Sequence, residues 1–586
     1  MKLKLLIIFF LLLILPYFAS SQNYPYPKTQ FRAPIDRQLN ISGNFAELRG
    51  NHFHSGIDLR IGEREGEKVY SPEEGEVSRI KIQAYGGGKN LYIRHINGYT
   101  TVYMHLQNFS DKIEKYVKEY QYEKQTYEFD LQIPKGKLKL KKGELIAYAG
   151  NTGSSGGPHL HYEIRDTKTE NIINPQHFGI EIKDTIAPNI ISLLISPEGD
   201  YSRVEGINEK QTYKIIKPDA LTPIIQNSKK QIKQYDTINV TNQVSFGIIA
   251  FDKSENSTSR NGIYSYNLNI DDNLFWQFKI DEFSFFDSRY INACIDYEIY
   301  SKTSERYLIT KKLPNNQFQN FYNCEDGGII TMEPNAIKKI EYQLQDFKGN
   351  TTTFIFYLQS TPSFPSSLHS PQQTPTHIFQ WDKDNKIEDD QIQILVPKNS
   401  LYDNIPINYS KQIDSQTLVP IFQILSPSPL HNNMTLQIQI PNHIKDNSKL
   451  TKKLVVASLE GKYIISIGGK IDGDKIIAKT KNFGTYTLKI DTIAPTIAPK
   501  NFKSNKPIKP QQKALTLTIR DNLSSVAKYN AYINNKWVLM EYDGKSSTLI
   551  YNINPEELNQ KTNTLKVEIE DKVGNKKQEI YKIVRR

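Results

Sequence analysis

Gly156-Gly157-Pro158-His159-Leu160-His161-Tyr162-Glu163-Ile164 is the stretch on which the reading of this chain turns. Two histidines stand two residues apart, with apolar side chains at 160, 162 and 164. A strand sends successive side chains to opposite faces. His159 and His161 therefore share one face, while Leu160, Tyr162 and Ile164 turn inward. Two imidazoles pointing the same way from one strand suit a metal ion.

Two upstream segments obey the same logic. In His54-Ser55-Gly56-Ile57-Asp58-Leu59-Arg60-Ile61, the apolar residues at 57, 59 and 61 alternate with Asp58 and Arg60. His54 sits four residues before Asp58, across a glycine that lets the backbone bend. In Thr101-Val102-Tyr103-Met104-His105-Leu106, alternation sets His105 on the face opposite Val102, Met104 and Leu106. Alone, each is a common arrangement. Together, one region supplies two histidines and an aspartate suited to a tetrahedral zinc, plus two further histidines. A catalytic zinc takes three protein ligands and leaves a fourth position for water, whose pKa it lowers toward about 7.

The order His-Ser-Gly-Ile-Asp, then Tyr-Met-His-Leu, then Gly-Asn-Thr-Gly-Ser-Ser-Gly-Gly-Pro-His-Leu-His-Tyr-Glu-Ile resembles the lysostaphin/LytM-type zinc endopeptidases. The resemblance covers roughly residues 36–180 and implies an enzyme that opens peptidoglycan cross-links. It implies that His54, Asp58 and His161 bind Zn2+. It also implies that His105 and His159 flank the zinc-bound water and the oxyanion, as the catalytic pair, without saying which is the base. The glycine-rich runs Tyr85 to Gly88 and Gly150 to Gly157 are expected to let an extended peptide lie close to the sheet. Arg49, Asn51 and His52 are candidates for touching it. The chain departs from the family by inserting about thirty Lys-, Tyr- and Glu-rich residues before Lys142-Gly143. Within them, Ile113, Tyr116, Val117 and Tyr120 after Ser110 have helical spacing, consistent with either a helix or a solvated loop.

Lys2 and Lys4 precede an apolar run from Leu5 to Leu15, then come Pro16 and Ala19-Ser20-Ser21. That order predicts a signal peptide over residues 1–21 and an exported chain, periplasmic or extracellular. The run is short for a span of about 20 residues, and nothing later predicts a membrane span. The formal charge of +11 falls by two once Lys2 and Lys4 are removed. A basic exported protein suits polyanionic partners such as wall polymers or anionic lipid, although a generally basic surface accounts for most of the charge. No basic block comes with a nucleic-acid module, so nucleic acid is not an expected partner. Cys294 and Cys324 could pair in an oxidising compartment.

Seven of the eleven histidines lie between His52 and His177. The chain beyond His177 is strand-like and carries two repeated phrases. Asp184-Thr185-Ile186-Ala187-Pro188 recurs at Asp491 to Pro495, and Asp346-Phe347-Lys348-Gly349-Asn350 is echoed by Asp571-Lys572-Val573-Gly574-Asn575. The second phrase is a hairpin signal. The expected organisation is a mainly β chain: an N-terminal antiparallel β-sheet metallopeptidase domain at 36–180, then several β-sandwich domains. These are a β-sandwich at 186–360, a β-rich domain at 361–490 after a Pro/Ser/Thr/Gln-rich linker, and an immunoglobulin-like β-sandwich at 491–586. The later domains show no site of their own and are read as spacers or as modules that bind the wall or a protein partner. A rival reading keeps the fold and makes the chain a catalytically silent activator or scaffold for another wall hydrolase. The five filled positions favour the enzyme.

Overall fold

The computed structural model describes residues 26, 31–216, 230–255, 257–322, 324–361 and 375–585. The predicted leader and most of the predicted linker lie outside them. The fold is mainly β, with one large antiparallel sheet near the N-terminus and further pairs of sheets after it in the chain.

The first sheet is built on β1 (Ile41–Gly43), β2 (Ile57–Arg60), β4 (Gly75–Ile82), β5 (Lys89–His95), β6 (Tyr99–Met104), β8 (Phe129–Gln132) and β11 (His159–Asp166), in the order β1-β2-β11-β6-β5-β4-β8. The short β9 (Lys139–Leu140) pairs with β4. A smaller sheet joins β3 (Lys68–Tyr70), β10 (Leu145–Ala149) and β7 (Leu106–Phe109). The alternation predicted for β11 holds on its inner face, where Leu160, Tyr162 and Ile164 are fully buried beside Ile57 and Leu59. Register is what makes the site: His161 lies directly opposite Asp58 on β2 and Met104 on β6. Residues facing each other across an antiparallel pair bring their Cβ atoms to about 5 Å, close enough to share a ligand. Gly56 permits this approach, since a Cβ there would lie 2.3 Å from the Tyr162 carbonyl oxygen.

The expected strand through His105 is broken. β6 ends at Met104 and β7 begins at Leu106, with His105 between them at φ 60°. A left-handed backbone is strained for any side chain but glycine, of order 1 kcal/mol or more. It is held here because the His105 N–H donates to the Gly87 carbonyl at 2.8 Å. The insertion forms a helix, α1 (Asp111–Lys124), which buries Ile113 and Val117 in the core. Tyr116 and Tyr120 ride higher on the same helix.

Residues 189–360 form a six-stranded and a seven-stranded sheet. Their core is continuous with that of the first sheet. Phe53 stacks on Phe318 with ring centroids 4.8 Å apart, and strand Ile172–Ile173 pairs with Glu282–Phe283. Residues 377–490 carry a separate core between six- and five-stranded sheets, and residues 496–584 another between two four-stranded sheets. Cys294 and Cys324 are both free thiols, Cys294 buried against Asn316. Among the described residues no helix is long and apolar enough to cross a membrane.

Candidate metal centre

His54, Asp58 and His161 converge. Their ligand atoms His54 Nε2, Asp58 Oδ1 and His161 Nδ1 form a nearly equilateral triangle with sides of 3.0, 3.1 and 2.9 Å. All three side chains are buried. Which nitrogen of each histidine can act as a ligand is set by what the other nitrogen does. His54 Nδ1 lies 2.7 Å from the Asn44 carbonyl, which can only accept, so Nδ1 carries the proton and Nε2 turns a lone pair to the triangle. His161 Nε2 lies 3.0 Å from Glu163 Oε1, and by the same argument its Nδ1 lone pair faces inward. Three lone pairs aimed at one point, two from nitrogen and one from carboxylate oxygen, are a donor set that fits a transition-metal ion.

The electrostatics agree. Burial opposes ionisation of Asp58, but His54 and His161 outweigh it and hold the carboxyl well below its usual range. Burial would lower the pKa of His161, but its hydrogen bonds to Asp58 and Glu163 raise it to about 9. The cluster is built to hold positive charge, whether a proton or a metal.

Glu163 is itself fully buried, and burial opposes its charge, yet Arg165 and His161 hold it down at about 2. Arg165 Nε donates to Glu163 Oε2 at 2.8 Å, and Ser55 Oγ to Oε1 at 2.6 Å. On the aspartate side, Arg49 Nη2 donates to Asp58 Oδ2 at 3.2 Å. Arg49 therefore supports a cluster residue. Asn51, a candidate for touching substrate, accepts from Asn292, and His52 is exposed and hydrogen-bonded to the Gly50 carbonyl. Glu163 and Arg165 continue the alternation of His159 and His161 along one strand face, so the pattern that found the histidines also reaches them. Asn44 and Arg49 carry no such signal.

His105 and His159 stand beside the triangle, with ring centroids 4.8 Å apart. His105 Nδ1 donates to the Thr152 carbonyl at 2.8 Å, and His159 Nδ1 to the Gly157 carbonyl at 2.8 Å. Each ring thus keeps Nε2 as an acceptor, and His159 Nε2 lies 3.5 Å from Asp58 Oδ1. Burial, with His161 and His159 nearby, pushes His105 down to about 3, and burial lowers His159 as well.

The glycine loops partly hold each other. Ser154 N–H donates to the Gly86 carbonyl at 2.8 Å, and a Cβ at Gly153 would meet the Gly88 nitrogen at 2.3 Å. Gly156 and Gly157 have open space where a side chain would be. The last sheet pair closes over this rim. Lys545 Nζ donates to the Ser155 carbonyl at 3.1 Å and to the Asn151 carbonyl, Lys89 pairs with Glu541 at 3.0 Å, and Gly544 packs on the Tyr85 ring. Between the two parts lies a cleft of about 1000 Å³ lined by Gln107, Ser155 and Gly156 on one side and Glu541, Asp543 and Lys545 on the other.

This sheet presents a donor set suited to a metal ion. Residues 52–122 match the family described as Peptidase family M23, and residues 376–491 match the Zu5-like domain. The N-terminal part of the chain thus carries a match to peptidase family M23. It is 34% identical over 139 residues to an uncharacterized metalloprotease of Haemophilus influenzae, covering 23% of this chain and 24% of that protein. It is 30% identical over 139 residues to the peptidoglycan DD-endopeptidase ShyA of Vibrio cholerae, covering 23% and 26%. The chain thus spans about a quarter of the length of these curated relatives. Among solved structures, the catalytic domain of lysostaphin from Staphylococcus simulans aligns at 19% identity with a TM-score of 0.18, covering 23% of this chain and 89% of that one.

Proposed function

We propose that this chain is an exported zinc-dependent endopeptidase that hydrolyses the peptide cross-links of peptidoglycan, with its catalytic unit at residues 36–180. The observation that carries the proposal is the triangle of His54, Asp58 and His161 lone pairs with His105 and His159 beside it. Residues 1–21 serve as the leader, and the substrate class is taken from the Vibrio cholerae relative.

His54, Asp58 and His161 would hold the zinc. Zinc bound there supplies Lewis acidity toward a scissile carbonyl and makes a water acidic enough to attack near neutral pH. Glu163 and Asn44 fix the tautomers of the two ligand histidines. His105 and His159, each anchored through Nδ1–H, present Nε2 acceptors able to take the proton of the attacking water and return it to the leaving amine. The open backbone at Gly156 and Gly157 leaves room for an extended peptide beside β11.

The test is mass spectrometry of purified peptidoglycan after incubation with the chain, with and without a zinc chelator, beside His161→Ala. Cross-linked dimers should fall and monomers rise, and both controls should abolish the change. Intact cross-links with zinc bound would replace this reading with that of a silent activator.

A further inference from the structure

The two repeated phrases do more than mark turns. In the folded chain Asp184 and Asp346 come together with Asp252, and Asp491 and Asp571 come together with Asp521. Within each triad, carboxylate oxygens lie within 4.8 Å of one another. The two copies are built alike. Asp346 Oδ1 accepts from the Asn350 N–H at 3.0 Å while Asn350 Nδ2 donates to the Asp184 carbonyl at 3.3 Å. Asp571 Oδ1 accepts from the Asn575 N–H at 2.8 Å while Asn575 Nδ2 donates to the Asp491 carbonyl at 2.8 Å.

Carboxylates this close repel, and burial raises the cost of their charge. Asp252, Asp346, Asp491 and Asp571 are all at least 95% buried. Among the described residues none of the six forms an ion pair with Lys, Arg or His. Burial, with Asp184 and Asp346 alongside, pushes the Asp252 carboxyl up to about 7.

Independent atoms point into each cluster. Asn261 faces Asp252 across a β-bridge, which sets the two side chains on the same side. Asn261 is 3% exposed, yet neither its Oδ1 nor its Nδ2 has a partner, and Asp252 Oδ1 has none. In the second copy the Ser524 N–H donates to Asp491 Oδ2 at 3.0 Å. The hydroxyl of the same residue, 1% exposed, has no partner, nor has Asp521 Oδ1. Buried polar groups are almost always satisfied, so orphaned polar atoms at both triads call for a ligand.

We infer that each triad binds a calcium-class divalent cation, with Asn261 completing the first site and Ser524 the second. The donors are all oxygen, the preference of a hard cation, whereas the histidine centre suits zinc. Each site stands where the chain enters a sheet pair, just before Asn189–Pro197 and just before Thr496–Pro499. A bound cation would clamp that junction to the Gly-Asn hairpin whose asparagine already reaches it. The inference does not depend on the peptidase reading.

Equilibrium dialysis of the full chain with calcium chloride, at constant zinc, tests it. The expected uptake is about two calcium ions per chain, about one in Asp346→Asn or Asp571→Asn, and none in the double variant. Calcium should raise the melting temperature of the wild type by a few degrees and leave the double variant unmoved. Asn261→Ala, which keeps every carboxylate, guards against misfolding and should weaken the first site alone, several-fold. No uptake at millimolar calcium, or full uptake in the double variant, would overturn the assignment.

Discussion

Glu163 Oε1 lies 3.0 Å from His161 Nε2, two residues along the same strand, and fixes which nitrogen of His161 faces Asp58. Glu163→Gln keeps the shape and loses the charge. Outer-shell changes of this kind cost about 10–100-fold in metal affinity. Competition against a chromophoric chelator should show zinc binding weakened by that factor, with hydrolysis restored at saturating zinc. Unchanged affinity would remove Glu163 from the site.

The five site positions should separate into two groups. His54→Ala, Asp58→Ala and His161→Ala are expected to abolish zinc binding and hydrolysis together. His105→Ala and His159→Ala should retain near-normal zinc, measured by elemental analysis, while hydrolysis falls by about 10²–10⁴-fold, the usual contribution of acid–base groups. Loss of zinc in the second pair would make those histidines ligands.

His95 gives a pH prediction outside the metal centre. Burial pushes it down to about 4 from 6.5, and its Nε2 accepts from Thr101 Oγ1 at 2.7 Å. Between pH 6.5 and 4 the unfolded chain therefore binds more protons at this residue than the folded one. Stability falls as pH falls through that window, by about 3 kcal/mol in all. Urea unfolding at pH 7, 5.5 and 4 should show the decline, and His95→Asn should flatten it. Parallel pH curves for wild type and variant would refute the assignment.

Gly544 probes the rim. A Cβ there would meet the half-exposed Tyr85 ring at 2.5 Å, so Gly544→Val displaces that ring and loosens the contact between the last sheet pair and the loop at Gly86. Hydrolysis of intact sacculi is expected to rise severalfold, while a small soluble cross-linked dimer is cleaved as before. Equal effects on both substrates would show that the contact does not control access.

What the sequence disclosed and what it withheld divide along physical lines. Strand alternation put His159 and His161 on one face and short spacing set His54 near Asp58, but the choice of His54, Asp58 and His161 as ligands came from the family resemblance. Glu163 and Arg165 obey the same rule on the same strand. His105 did not, because its left-handed backbone depends on hydrogen bonds to Gly87 and Thr152, neither a neighbour in sequence. The helix at Asp111–Lys124 resolved an even choice once Ile113 and Val117 had a core to enter. The aspartate triads stayed hidden although two members of each sit in visible repeats. Their third members, Asp252 and Asp521, lie outside those phrases, and only sheet packing unites them.

The hold of Lys545 on the carbonyls of Asn151 and Ser155 joins positions almost four hundred residues apart. A chain emerging from its N-terminus completes the histidine centre long before the far wall of its cleft exists. Only when residues 541–546 arrive does the cleft gain its second wall, so its width is decided by nearly the last part of the chain to be made.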